Sequence, residues 1–171
     1  MWYCPAVNAF EPAWIADQLD TGTALIERFV ACASEARLTA APPAKGDDAP
    51  LGTWSAHRHA HHLLAWERGD VLLVLRWLRT GPTGPRPTTG QESYDPSMPI
   101  DAILAALKET RAEEAQIIRE LPAVTFELHR DGGPTVGWML AHVIQHNYEH
   151  ANDIARIALF WDLTERRLAN G

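Results

Sequence analysis

Apolar residues return at helical spacing in four stretches of the chain, separated by polar or Pro/Gly-rich segments. The first stretch follows Pro12 and predicts a helix over about residues 13–37, with Ile15, Leu19, Leu25, Ile26, Phe29 and Val30 on its inner stripe. Gly22 falls in its middle, where glycine costs about 1 kcal/mol relative to alanine. The second predicts a helix over about 54–79, with Leu63, Trp66, Leu73, Val74 and Trp77 facing inward and Thr53 as its N-cap. The third covers about 100–121, where Ile103, Leu104, Leu107, Ile117 and Ile118 flank a strongly polar run from Lys108 to Glu114, and Pro122 stops it. The fourth, capped by Thr135, covers about 136–163 or beyond. Nothing long has the period of a strand; Val124 to Leu128 alternates weakly, and Asp131-Gly132-Gly133-Pro134 reads as a turn.

The segments 39–53 (TAAPPAKGDDAPLGT) and 80–90 (TGPTGPRPTTG) cannot continue a helix. Four helices of comparable length predict an all-α four-helix bundle, with the 171 residues as one domain. Both segments are long for hairpin connections, so at least one is expected to cross the bundle rather than turn straight back.

Composition narrows the function. With 46% apolar and 22% charged residues the chain is an ordinary globular protein rather than a disordered one. A formal charge of −7 speaks against a nucleic-acid partner, which needs a basic face, and against docking on anionic lipid. No apolar run approaches the ~20 residues of a membrane span. Met1-Trp2-Tyr3-Cys4-Pro5 lacks the basic and apolar regions of a signal peptide. Cys4 and Cys32 form no CxxC pair and read as small buried thiols in a reducing, cytoplasmic compartment.

The candidate chemistry lies in the histidines. Of eight, His57, His59, His61 and His62 fall in the second predicted helix and His142, His146 and His150 in the fourth, with His129 apart. Residues i and i+4 differ by only about 40° around a helix. His146 and His150 therefore share a face with Met139, Val143, Ile157 and Trp161, and His142 and Asp153 lie at its edge. Gln145, Glu149, Asn152 and Arg156 fall on the other side. In the second helix His59 and His62 point inward, and phase does not choose between them; His57 and His61 point outward and read as solvated. A lone inward histidine is usually a hydrogen-bonded core residue, but an inward i, i+4 pair facing another inward pair buries several polar rings that one metal ion satisfies together. Three protein ligands would leave a position for water or substrate. His146-Asn147-Tyr148-Glu149-His150 also spells H-x-x-E-H, the inverted zinc-peptidase pattern, with Glu149 as general base. That reading lacks a further ligand downstream.

Two of these stretches resemble a known family. Trp54-Ser55 followed by His62-Leu63-Leu64-Ala65-Trp66-Glu67 is similar to the second-helix motif of the DinB-like (YfiT-like) superfamily, with a metal-ligand histidine eight residues after a tryptophan. The run from Val136 through Leu140, His142, His146, His150 and Ile154 looks like that family's fourth helix. The resemblance implies a four-helix bundle, often a homodimer, with nickel or zinc held by His62, His146 and His150. It also implies activities that use low-molecular-weight thiols such as mycothiol or bacillithiol on small-molecule substrates. Some members carry H-H-R-G-Q where this chain has His150-Ala151-Asn152-Asp153, so no specific activity transfers. The expectation is a metal-dependent transferase or hydrolase. Asp153 is its candidate acid–base or ligand-orienting residue, Trp66 and Met139 stand one turn from the ligands, and loop 80–98 is either a lid or a solvated connection. The contrasting expectation is a non-catalytic metal-binding, stress-response or dimerisation bundle. If His59 or His142 supplied a fourth ligand, the metal would be structural.

Overall fold

Proline's fixed φ suits the first turn of a helix, and Pro12 opens α1 (Pro12–Cys32). The computed structural model describes residues 11–81, 87, 90, 93–129 and 134–170. The predicted 13–37 helix breaks where Ala33 and Ser34 turn extended, and α2 (Glu35–Thr39) restarts at a new angle. The break buries Leu38 and lets Arg37 pair with Asp162. Cys32, expected to be buried, is exposed at the end of α1, while Cys4 lies outside the described residues.

The N-cap of the next helix is Ser55 rather than Thr53, because the Ser55 Oγ accepts the Arg58 N–H at 3.2 Å. A single rod then runs through α3 (Ala56–Trp66), a π-helical turn (Glu67–Val71) and α4 (Leu72–Arg79). α5 (Ile100–Glu120) follows, and the weakly alternating stretch is a 3₁₀ turn, Ala123–Glu127. α6 (Val136–Asn170) runs on beyond 163, as the open-ended expectation allowed. Thr135 Oγ1 accepts the Trp138 N–H at 3.1 Å, the expected cap. The Asp131–Gly133 part of the expected turn lies outside the described residues. Among the described residues no helix is long and apolar enough to cross a membrane.

The core is two apolar clusters stacked along the bundle. One joins Ile15 and Leu19 of α1, Val74 and Leu75 of α4, Ile117 and Ile118 of α5, and Leu140 and Val143 of α6. The other joins Ile26 and Val30 of α1, Ala60 and Leu63 of α3, Ile103 and Leu107 of α5, and Ile154 and Ile157 of α6. Chain order through the clusters gives the directions: α1 and α6 run one way, and the α3–α4 rod and α5 run the other. The rod and α5 are therefore parallel, and the 80–99 connection is the expected crossover. Its described residues lie along the rod, where Gly90 N–H meets Gly69 O at 3.3 Å.

Between the clusters every long helix turns polar at one level. Gly22 and Thr23 of α1, Glu67 of the π-helical turn, Arg111 and Glu114 of α5, and His146, Asn147 and His150 of α6 separate the two apolar sets. Arg111 and Glu67 are 1% and 0% exposed, and their bidentate pair, at 2.9 and 2.8 Å, crosses from α5 to the π-helical turn. Arg111 Nη1 also donates to Thr23 Oγ1 at 3.0 Å. Glu114, also fully buried, has neither carboxyl oxygen hydrogen-bonded. Burial, and then the Glu67 carboxylate, holds the Glu114 carboxyl well above its ordinary 4.5, so it is neutral where Glu67 is charged.

The two glutamates should therefore respond differently to the same substitution. Glu67→Gln leaves Arg111 as an uncompensated buried charge and is expected to cost about 3–5 kcal/mol. Glu114→Gln replaces one neutral side chain by another. Because the folded-state pKa of Glu114 is raised, its contribution is fully present below 4.5 and is lost as pH rises towards the folded value. The stability of Glu114→Gln relative to the parent is expected to climb over that window. Denaturant unfolding at a series of pH values checks both outcomes.

Candidate metal centre

Helical phase places His62 on the inner side of α3 and His146 and His150 one turn apart on α6, and bundle packing brings the three together. His146 Nε2 lies 3.3 Å from His62 Nε2 and 3.0 Å from His150 Nε2. Two nitrogens held tetrahedrally on one ion at about 2.0–2.1 Å lie about 3.3 Å apart, so the spacing fits a common ion. The chemistry of the donors fits as well. Three imidazole nitrogens converge in a half-buried space, and a shared cation satisfies all three at once where a ring proton can bridge only a pair.

Electrostatics hold the rings in the ligating state. Burial lowers His146 to about 4 and His150 to about 3, with neighbouring imidazoles adding to the shift. His62 is lowered by burial, then by Arg58 and His61. All three are neutral at pH 7, as ligation requires. His146 Nδ1 is buried without a hydrogen-bond partner.

His59 adds a fourth imidazole at the back of this cluster. It is lowered to about 4, first by burial, and its Nδ1 lies 2.7 Å from Nδ1 of His150. His59, His150 and Asp153 also present ligand atoms within 4.8 Å of one another. Asp153 is half-buried at the rim, its Oδ1 accepting from Arg156 at 3.3 Å. His142 stays out of the cluster, its ring centroid 6.0 Å from that of His146 and stacked on the exposed Trp138.

Aromatic rings wall the site. Trp54 lies 5.3 Å from the His62 ring and parallel to His150 at 6.2 Å, with the Arg58 guanidinium over its outer face at 4.4 Å. Trp66 meets His146 edge to face at 4.4 Å, whereas Met139 is a buried core residue.

The structure corrects one reading of the histidines. His57 and His61, expected to be solvated, are 2% and 4% exposed. The crossover covers them. His57 Nε2–H donates to Met98 O at 2.7 Å, which leaves Nδ1 to accept from the Tyr94 hydroxyl at 2.9 Å. His61 Nε2 accepts the Asp95 N–H at 3.3 Å. Residues 94–98 are thus latched onto the face of α3 opposite the inward histidines. The rest of the 80–98 loop lies largely outside the described residues. Sequence phase gave the outward direction correctly but could not see the covering segment. It also missed Arg111 and Glu114, although both continue the Leu107, Ala115, Ile118 stripe. Glu149, the general base of the peptidase reading, is exposed and accepts from Gln145 at 2.8 Å.

The lowered histidines carry a stability signature. Their depressed folded-state pKa values mean that stability is present above 6.5 and lost as pH falls towards 4. The metal-free parent is expected to lose unfolding free energy across that window. A His146→Asn, His150→Asn variant should show a shallower dependence, read by urea unfolding between pH 7 and pH 4.

Comparison with known proteins adds one finding. The family model described as the DinB superfamily matches residues 18–154, a span that contains all three converging histidines. No curated protein and no solved structure matches the chain.

Proposed function

The chain belongs to the DinB superfamily, and on that premise we propose that it is a metal-dependent enzyme whose His62, His146 and His150 hold one divalent ion, nickel or zinc. The observation that carries this reading is the convergence of three neutral, half-buried imidazoles, with His146 Nε2 at 3.3 Å from His62 Nε2 and 3.0 Å from His150 Nε2. When bound, such an ion supplies a Lewis acid that activates a thiol or water or polarises an electrophile. The chain's own residues set the conditions for that chemistry. Trp54 and Trp66 shield the ring cluster from water, and three protein ligands leave room for an incoming group.

We place the reaction among thiol-dependent transfers or hydrolyses of a small molecule, with a low-molecular-weight thiol as co-substrate. Asp153, at the rim beside His150 and ion-paired with Arg156, is the acid–base candidate. A wholly structural metal is the contrasting reading. It requires His59 or His142 as a fourth protein ligand, but His142 is stacked away on Trp138 and His59 meets Nδ1 of His150 rather than the Nε2 cluster.

Protein purified without an affinity tag should carry about one equivalent of metal per chain, and a His62→Ala, His146→Ala variant should carry none. Elemental analysis after reconstitution with nickel or zinc reads the result. No metal in the reconstituted parent would sink the proposal.

A further inference from the structure

The outer nitrogen of a metal-bound imidazole needs a partner, and the partner usually is a carboxylate, a backbone carbonyl or a water. His150 has a different one. Its Nε2 faces His146 and His62, and its Nδ1, on the other side of the ring, faces Nδ1 of His59 at 2.7 Å. We propose that His59 is a positioning residue for the metal centre: it accepts the Nδ1–H of His150 and so fixes that ligand with its Nε2 lone pair directed at the ion. The inference rests on the three-histidine reading above and deepens it.

Two geometric facts separate this role from that of a fourth ligand. His59 addresses the nitrogen of His150 that points away from the Nε2 cluster, so a single ion bound by Nε2 lies out of its reach. The separation is also too short for two donors on one ion, which stand about 3.3 Å apart in a tetrahedron, and it falls in the ordinary range of a nitrogen-to-acceptor hydrogen bond. The tautomers follow without further assumption. An ion on Nε2 of His150 leaves the ring's proton on Nδ1, His59 accepts it there, and His59 carries its own proton on Nε2.

His59 is itself held in place. Its backbone N–H bonds Ser55 O at 3.1 Å, its ring packs against Trp54 at 5.4 Å, and it is 7% exposed. A neutral imidazole in this role supports the ligand without adding negative charge to a layer that already buries Glu67. Asp153 is less suited to it, being half-exposed and engaged by Arg156.

The test uses zinc and the full chain. His59→Phe keeps the ring's bulk but removes the acceptor, and is expected to weaken zinc binding by about 10–100-fold in a chelator competition. His59→Asn, whose side-chain oxygen takes the place of Nδ1, should restore most of the affinity, which a purely space-filling role would not predict. In the zinc-loaded parent, nitrogen-15 NMR should find the His150 proton on Nδ1, with a scalar coupling across the hydrogen bond to His59 Nδ1. Equal zinc affinity in the parent and the Phe variant would overturn this inference alone. So would two zinc ions per chain with one lost in His59→Phe, which would make His59 a ligand of a second ion shared with His150 and Asp153. A parent that binds no zinc would overturn the three-histidine reading and this inference together.

Discussion

Burying polar groups in the middle of a helical bundle is costly unless each finds a partner, and this chain does it on every long helix at one level. The two apolar clusters do not need that layer; a continuous core of the same helices would bury more carbon. Inside the layer the partners divide the work. Arg111 neutralises Glu67 and reaches Thr23, so three helical segments are tied by one guanidinium. The imidazoles meet chiefly one another, and a cation is the natural occupant of the space they share because it satisfies several ring nitrogens at once. The layer is therefore both a register mark, since a helix that slid by a turn would bury Glu67 or Arg111 alone, and the place where chemistry is concentrated.

The π-helical turn shows how local geometry serves this arrangement. A residue accommodated in a wider turn shifts the phase of everything after it, and such turns are frequent at functional sites. Here the wide turn begins at Glu67, directly after Trp66. The α3 side of it presents His59, His62 and Trp66 to the metal centre, and the turn itself presents Glu67 to Arg111. α3 and the wide turn thus face different parts of the polar layer, and α4 continues into the apolar cluster without a break in the helix.

The parallel relation of the α3–α4 rod and α5 sets the fate of the remaining histidines. A connection between parallel helices must travel the length of the bundle, and the groove it follows along α3 becomes covered ground. His57 and His61 hold that returning segment through Met98, Tyr94 and Asp95. One helix therefore uses imidazoles for two unrelated purposes: those on one face fasten a loop, and those on the other converge with α6. The Arg58 guanidinium lies between them, over Trp54 on the site side and near Tyr94 on the loop side.

Much of this was legible in the sequence. Apolar periodicity placed the starts of the long helices within about two residues, because a 3.6-residue stripe is a local property of the chain. The same periodicity put His146 and His150 on one face, and the lengths of the connections called for a crossover. Phase left His59 and His62 equivalent, and the difference between them is tertiary: one ring reaches the shared space, while the other stops behind His150. Burial of His57 and His61 was equally out of reach, since it depends on a segment more than thirty residues away returning to cover them. Glu114 and Arg111 sit in a run whose dense charge reads as surface, although their phase points inward. The sequence by itself determined which residues share a helical face. Only the tertiary structure decided which faces meet and what covers them, because a helix dictates the direction of a side chain but not its neighbours across the bundle.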